Sequence, residues 1–131
     1  DSDKQLLAFV FVQADKIRNE IIYEQHFSRA LEMIGQIATR ANEFVDATAP
    51  WALKKTDPER MAGVLYTLAE CLRRIGLLLQ PFTPDAADKL LTQLGVDNAH
   101  RLFHYIGAGS ALRPGTPLPA PEGIFPRFEV K

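Results

Sequence analysis

One cysteine, Cys71, is all that the 131 residues contain. No intramolecular disulfide can form and no cysteine-ligated metal site can be built, so a reducing compartment suits the chain. Charge of one sign is missing as well: 15 Lys+Arg against 16 Asp+Glu leave −1. No bulk basic field attracts nucleic acid, and any site of that kind has to be local. Long apolar runs are also absent. The nearest, residues 6–12, falls short of the roughly 18 a membrane helix needs, and Asp3, Lys4, Gln13 and Asp15 flank it. The same acids argue against a secretory signal. A start at Asp1 without Met is what a fragment or a processed chain would show.

Catalytic signatures are missing too. There is no glycine-rich phosphate loop, no His-Glu-x-x-His, no Glu-x-x-His and no Gly-x-Ser-x-Gly elbow. His100 and His104 are spaced to share a helix face, but no third ligand accompanies them, so they read as surface or core-edge residues. Cys71 reads as a small packed hydrophobe and not a nucleophile. Arg73 and Arg74 could touch phosphate, but a basic pair late in a helix also suits its dipole, the plainer reading. No metal or catalytic residue is expected.

What is there is helix. Residues 3–23 carry Leu6, Leu7, Val10, Ala14, Ile17, Ile21 and Ile22 at three- and four-residue spacing, with Ser2 or Asp3 as N-cap. After a polar break at 24–26, Phe27, Ala30, Leu31, Ile34, Ile37, Ala38, Ala41 and Val45 mark a second face that ends near Thr48, before Pro50. Asp57-Pro58-Glu59 opens a third helix with Met61, Val64, Leu65, Leu68, Ala69, Leu72, Ile75 and Leu79 inward, closed by Pro81. Thr83-Pro84-Asp85 opens a fourth, which stops at Gly95. Short connections make these antiparallel neighbours. The fold class is all-α, a bundle of about four helices over 1–106.

Composition then shifts. Residues 107–126 hold five prolines and four glycines, too many for a helix or a central strand. The segment 107–131 is expected to be an extended tail with a mobile middle. Its Ile124-Phe125-Pro126-Arg127-Phe128 end should gain by docking on a helix face.

One stretch stands apart. Residues 42–57 set the only Trp directly after a Pro, between two helices, with Lys54 and Lys55 close by. Connections on a rigid helical scaffold often carry binding residues. A ring with adjacent cations can stack on an unpaired base and hold its phosphate. A Trp behind a helix stop is also a common plug for the end of a bundle, its ring buried and its N–H bonded to a carbonyl. Exposure of Trp51 separates the two.

The run Ala41-Asn42-Glu43-Phe44-Val45, followed by Ala49-Pro50-Trp51-Ala52-Leu53-Lys54-Lys55, resembles the anticodon-binding helical domain of methionyl-tRNA synthetases. Three further segments are similar to that family in the same order. They are Leu77-Leu78-Leu79-Gln80-Pro81-Phe82-Thr83-Pro84, Lys89-Leu90-Leu91-Thr92-Gln93-Leu94-Gly95, and Gly115 with Ile124-Phe125-Pro126-Arg127. Each is weak alone, but four in order are specific.

The resemblance implies the anticodon-binding part of a cytoplasmic ligase that joins methionine to its tRNA, using ATP with Mg in a catalytic half that is not in this chain. It places Trp51 as the stacking ring and Pro50 as the residue shaping its approach. Lys54 and Lys55, as the adjacent cations, and Asn42 are expected to accompany them as anticodon-binding residues, with neither Asn42 nor Arg40 read as a base reader. The implied partners are the anticodon loop of the methionine tRNA and the catalytic domain of the same enzyme, toward which the tail would run. No membrane is implied. The family also reads the first anticodon base with an Asn and an Arg on a preceding helix that nothing here matches. Weak, poorly discriminating RNA binding is therefore expected, together with an exposed face around Phe9 and Phe11 that invites self-association. The alternatives are a helical protein-interaction module and, last, a freestanding enzyme.

Overall fold

The computed structural model describes residues 1–130. Helix α1 (Ser2–Asn19) continues into a π-helical turn (Glu20–Glu24), and α2 (Phe27–Thr48) runs back beside it. A short helix, α3 (Pro50–Thr56), leads into α4 (Pro58–Leu79) and α5 (Pro84–Gln93), followed by three 3₁₀ turns. Among the described residues there is no strand, so the all-α expectation is met. Helices α1, α2 and α4 pack on one another, and α4 also carries α3 and α5.

The N-cap of α1 is Asp1, whose carboxylate accepts the Asp3 N–H at 3.0 Å. The sequence pointed to Ser2 or Asp3, but the Asp3 carboxylate is committed elsewhere. Arg60 on α4 donates to both its oxygens at 2.6 Å, tying the first turns of α1 and α4 together. Helices α1 and α4 therefore run parallel and touch, with α2 packed antiparallel to both. At the other end of α1, the π turn closes on Gln25 (φ 55°), and Glu20 pairs with His26 and Arg29 of the next helix.

The inward stripe of α1 is Leu6, Val10, Ala14 and Ile17, as the spacing predicts. On α2 it is Ala30, Ile34, Ile37, Ala41 and Phe44. Phe44 replaces the expected Val45 because a strict four-three spacing reaches it first. Phe27 and Leu31 lie on the flank of that stripe and are exposed.

Helix α4 departs most from its apolar pattern. Leu65 and Leu72 are exposed, whereas Thr67, Glu70, Arg73 and Arg74 are buried. The helix is covered on several sides, and one of those sides is polar. Glu70 accepts from Arg73 at 2.9 and 3.0 Å and lies 3.1 Å from Arg74 Nη1. The two arginines donate onward to the carbonyls of Tyr105, Ile106 and Gly107. Neither the dipole reading nor the phosphate reading of this pair survives, because both guanidiniums are spent holding the 3₁₀ turns. On the α5 side Gly76 is required by contact: a Cβ there would lie 2.9 Å from Leu91.

The tail is held by its backbone. Tyr66 donates to the Leu112 carbonyl at 2.9 Å, the Leu112 N–H donates to Glu70 at 2.7 Å, and Gln93 donates to the Glu122 carbonyl at 2.8 Å. The aromatic end does not dock as expected: Phe125 and Phe128 are exposed. The bundle's captured groups are carbonyls and N–H groups upstream, and they leave these rings in water.

Candidate nucleic-acid interface

The segment expected to be a connection is helical. Pro50 at the first position of α3 needs no N–H partner and brings a preset φ, and Asp57 ends the helix by capping α4, accepting the Arg60 N–H at 3.0 Å. No linker separates α2 from α3. Ala49 closes one and opens the other in the left-handed region, at φ 43° and ψ 63°. Its N–H donates to Val45 O and its carbonyl accepts from Ala52, each at 2.9 Å. The Thr48 hydroxyl bonds Phe44 O at 2.6 Å and finishes the α2 end.

Pro50 is buried and Leu53 packs half-buried on the core, so α3 has an inward face. Trp51 points away from it and is 65% exposed. The buried-plug reading is thereby overturned. Lys54 and Lys55 are also exposed and follow Trp51 by three and four residues, neighbouring positions on a helix surface. Among the described residues, neither lysine is in an ion pair. They sit in the last turn of α3, where carbonyl ends favour cations. Asn42 is exposed about two turns back along α2, and no hydrogen bond ties its side chain to α3. An exposed indole beside two unpaired cations can stack a flat ring and neutralise a nearby anion.

The other candidates carry less. The Cys71 thiol is fully buried and burial pushes it up to about 11, so it is inert as a nucleophile at neutral pH. His100 pairs with Asp97, and both His100 and His104 lie edge-on to Tyr105 at 4.8 and 5.0 Å. They occupy separate 3₁₀ turns and share no helix face. Among the described residues, no three His, Cys, Asp or Glu side chains could hold a metal ion, and no helix is long and apolar enough to cross a membrane. A cavity of about 720 Å³ lies between α4 and the tail, walled by Leu65, Tyr66, Leu94, Tyr105 and Leu118.

Sequence reasoning missed the left-handed Ala49 and the Asp3–Arg60 bridge. The Ala-Pro step after a helical pattern was a legible sign of the first. The second joins residues 57 apart and leaves no local signal.

The family model described as the anticodon binding domain of methionyl tRNA ligase matches residues 2–130. The methionine–tRNA ligase of Rickettsia felis is 48% identical over 113 residues, 86% of this chain and 22% of that protein. That of Rhizobium meliloti is 42% identical over 128 residues, 98% of this chain and 25% of the relative. The apo crystal structure of Mycobacterium tuberculosis methionyl-tRNA synthetase superposes with a TM-score of 0.91 at 35% identity, over 100% of this chain and 27% of that one. The chain thus spans about a quarter or less of the length of the relatives it matches, and a protein-interaction module is the poorer reading. This chain belongs to the family of methionyl-tRNA ligase anticodon-binding domains.

Proposed function

We propose that the α2–α3 end of this bundle binds the anticodon loop of a methionine tRNA, as the recognition module of a longer methionine–tRNA ligase. The observation that carries the reading is the exposed Trp51 with Lys54 and Lys55 on the same short helix. In this reading the indole stacks on one unpaired base and the two lysines offset loop phosphates. Pro50 fixes the start of α3, and Asn42 offers an amide at the margin. One stacked base contributes about 1–3 kcal/mol, enough for binding without a net positive charge. ATP with Mg, methionine and the bond-forming step belong to the rest of the ligase, a cytoplasmic enzyme in this proposal. The catalytic domain of the same polypeptide is the second partner.

Self-association is the third. Phe11 and Val12 lie exposed on α1, and Phe9 is half-covered by Arg40, 4.8 Å from its ring. A monomer at all concentrations in sedimentation velocity ends that part of the proposal.

Trp51 is the only Trp, so its emission reports on one ring. Titration with a CAU anticodon stem-loop, and with one altered at its first base, tests the central proposal. Quenching by both loops with similar affinity is expected of a stacking platform without base-edge readers. Strong preference for CAU would place base readers elsewhere in the chain. No change at millimolar RNA and low salt would overturn the reading.

A further inference from the structure

Two helices that meet at a single residue leave that residue to set the angle between them. Ala49 does so at φ 43° and ψ 63°, where Cβ is crowded and Gly or Asn is the usual occupant. Among the described residues, Gln25 is the one other non-glycine residue at positive φ. The junction is restrained on every side. The Ala49 N–H is bound to Val45 O, its carbonyl to Ala52 N, and the buried Pro50 sets the next φ. At the far end the Asp57 N–H donates to Leu53 O at 2.9 Å, and Arg60 of the following turn grips Asp3. Turning Ala49 out of this conformation would swing the whole two-turn helix, and with it the indole and both lysines.

We propose that Ala49 is a positioning residue for Trp51: its left-handed backbone, and not its methyl group, holds the ring and Lys54 and Lys55 in their binding presentation before RNA arrives. This deepens the anticodon-binding reading and rests on it. A pre-set platform loses less freedom on binding than one that must be ordered by its ligand.

The test is a series in the full chain: Ala49→Gly, Ala49→Asn and Ala49→Val. Gly and Asn enter the left-handed region readily, whereas a β-branched residue does not. Three quantities are measured: helical content, Trp51 anisotropy and acrylamide quenching without RNA, and Kd for the CAU stem-loop. Ala49→Gly and Ala49→Asn should keep the wild-type Trp51 signals, with Kd within about threefold. Ala49→Val should keep the helical content, shift both Trp51 signals and weaken binding by about tenfold or more.

Equal loss in all three variants would assign the effect to the methyl group and overturn the proposal, as would a Val variant with unchanged Trp51 signals. Should Ala49→Val fail to fold, the double variant Ala49→Gly/Pro50→Ala removes both backbone restraints without adding bulk. It must lower Trp51 anisotropy, and an unchanged value overturns the proposal. A wild-type chain that binds no RNA would sink the anticodon reading alone, because the RNA-free Trp51 signals still decide what Ala49 does.

Discussion

Arg60 closes on Asp3 through two contacts of 2.6 Å, one to each carboxylate oxygen, so the first turn of α4 is fastened to the first turn of α1. Thr67 adds a longer contact of 3.4 Å to the same carboxylate. The bridge lies one turn beyond α3 and braces the end of the bundle that presents Trp51.

This pair makes stability depend on acid. The hydrogen bonds from Arg60, ahead of its charge, hold the Asp3 carboxyl below the usual carboxylate range. A lowered folded pKa contributes stability that is present above the unfolded value and lost as pH falls through the folded one. Tm should therefore drop below about pH 4 more steeply in the wild type than in Asp3→Asn. Parallel Tm–pH curves for the two proteins would refute the assignment.

Trp51→Ala separates a platform from a plug. Removing an exposed ring should leave stability within about 0.5 kcal/mol, while a core Trp costs about 3–5 kcal/mol. RNA affinity should fall by about 1–3 kcal/mol, roughly fivefold to 150-fold. Urea titration and the stem-loop Kd, measured on the same preparation, check both halves. Lost stability with unchanged Kd would return the indole to a structural role.

Gly76 permits the close approach of α4 and α5. A methyl group there meets Leu91 at 2.9 and 3.2 Å and Leu90 at 3.3 Å, and Leu91 is fully buried. Alanine is favoured over glycine in a helix by about 1 kcal/mol, but overpacking costs about 1–3 kcal/mol. Gly76→Ala should thus lower stability by up to about 2 kcal/mol. A stabilised variant in chemical denaturation would show that α5 can slide.

How much of this was legible depends on whether the signal was local. The stripe Leu6, Val10, Ala14, Ile17 and the Asp57-Pro58 start could be read directly, because periodicity and capping act within a turn or two. The family resemblance was legible on residues 41–55 for the same reason. Leu65 and Leu72 misled because an apolar side chain at helical spacing does not reveal whether a neighbour covers it. Glu70 was invisible as a core residue, since the Leu112 N–H that it accepts and the Tyr105 carbonyl that takes up its partner Arg73 return from far along the chain. Trp51 could not be placed either, because a ring after a proline fits both a buried plug and an exposed platform until the angle at Ala49 is known.

Glu70 should be the costliest polar residue to lose. Its carboxylate is the counter-charge for two arginines that are nearly as buried as it is, and Arg74 Nη1 has no hydrogen-bond partner beyond the ion-pair contact. Burial already pushes the Arg74 pKa down, with Glu70 opposing that shift. Glu70→Ala would strand both cations and release the Leu112 N–H. Breaking a buried pair in this way costs about 3–5 kcal/mol. The loss should be mostly local to α4 and the tail, so limited proteolysis should cut within 107–126 before the bundle unfolds. Replacing Glu70, Arg73 and Arg74 together with apolar residues of similar volume should recover much of the stability, since no charge is then left unpaired. The tail anchors at Tyr105, Gly107 and Leu112 would still be missing. A triple variant with restored Tm but a protease-sensitive tail is the expected result. A triple variant less stable than Glu70→Ala would mean that the network contributes through its hydrogen bonds to the tail more than through charge compensation.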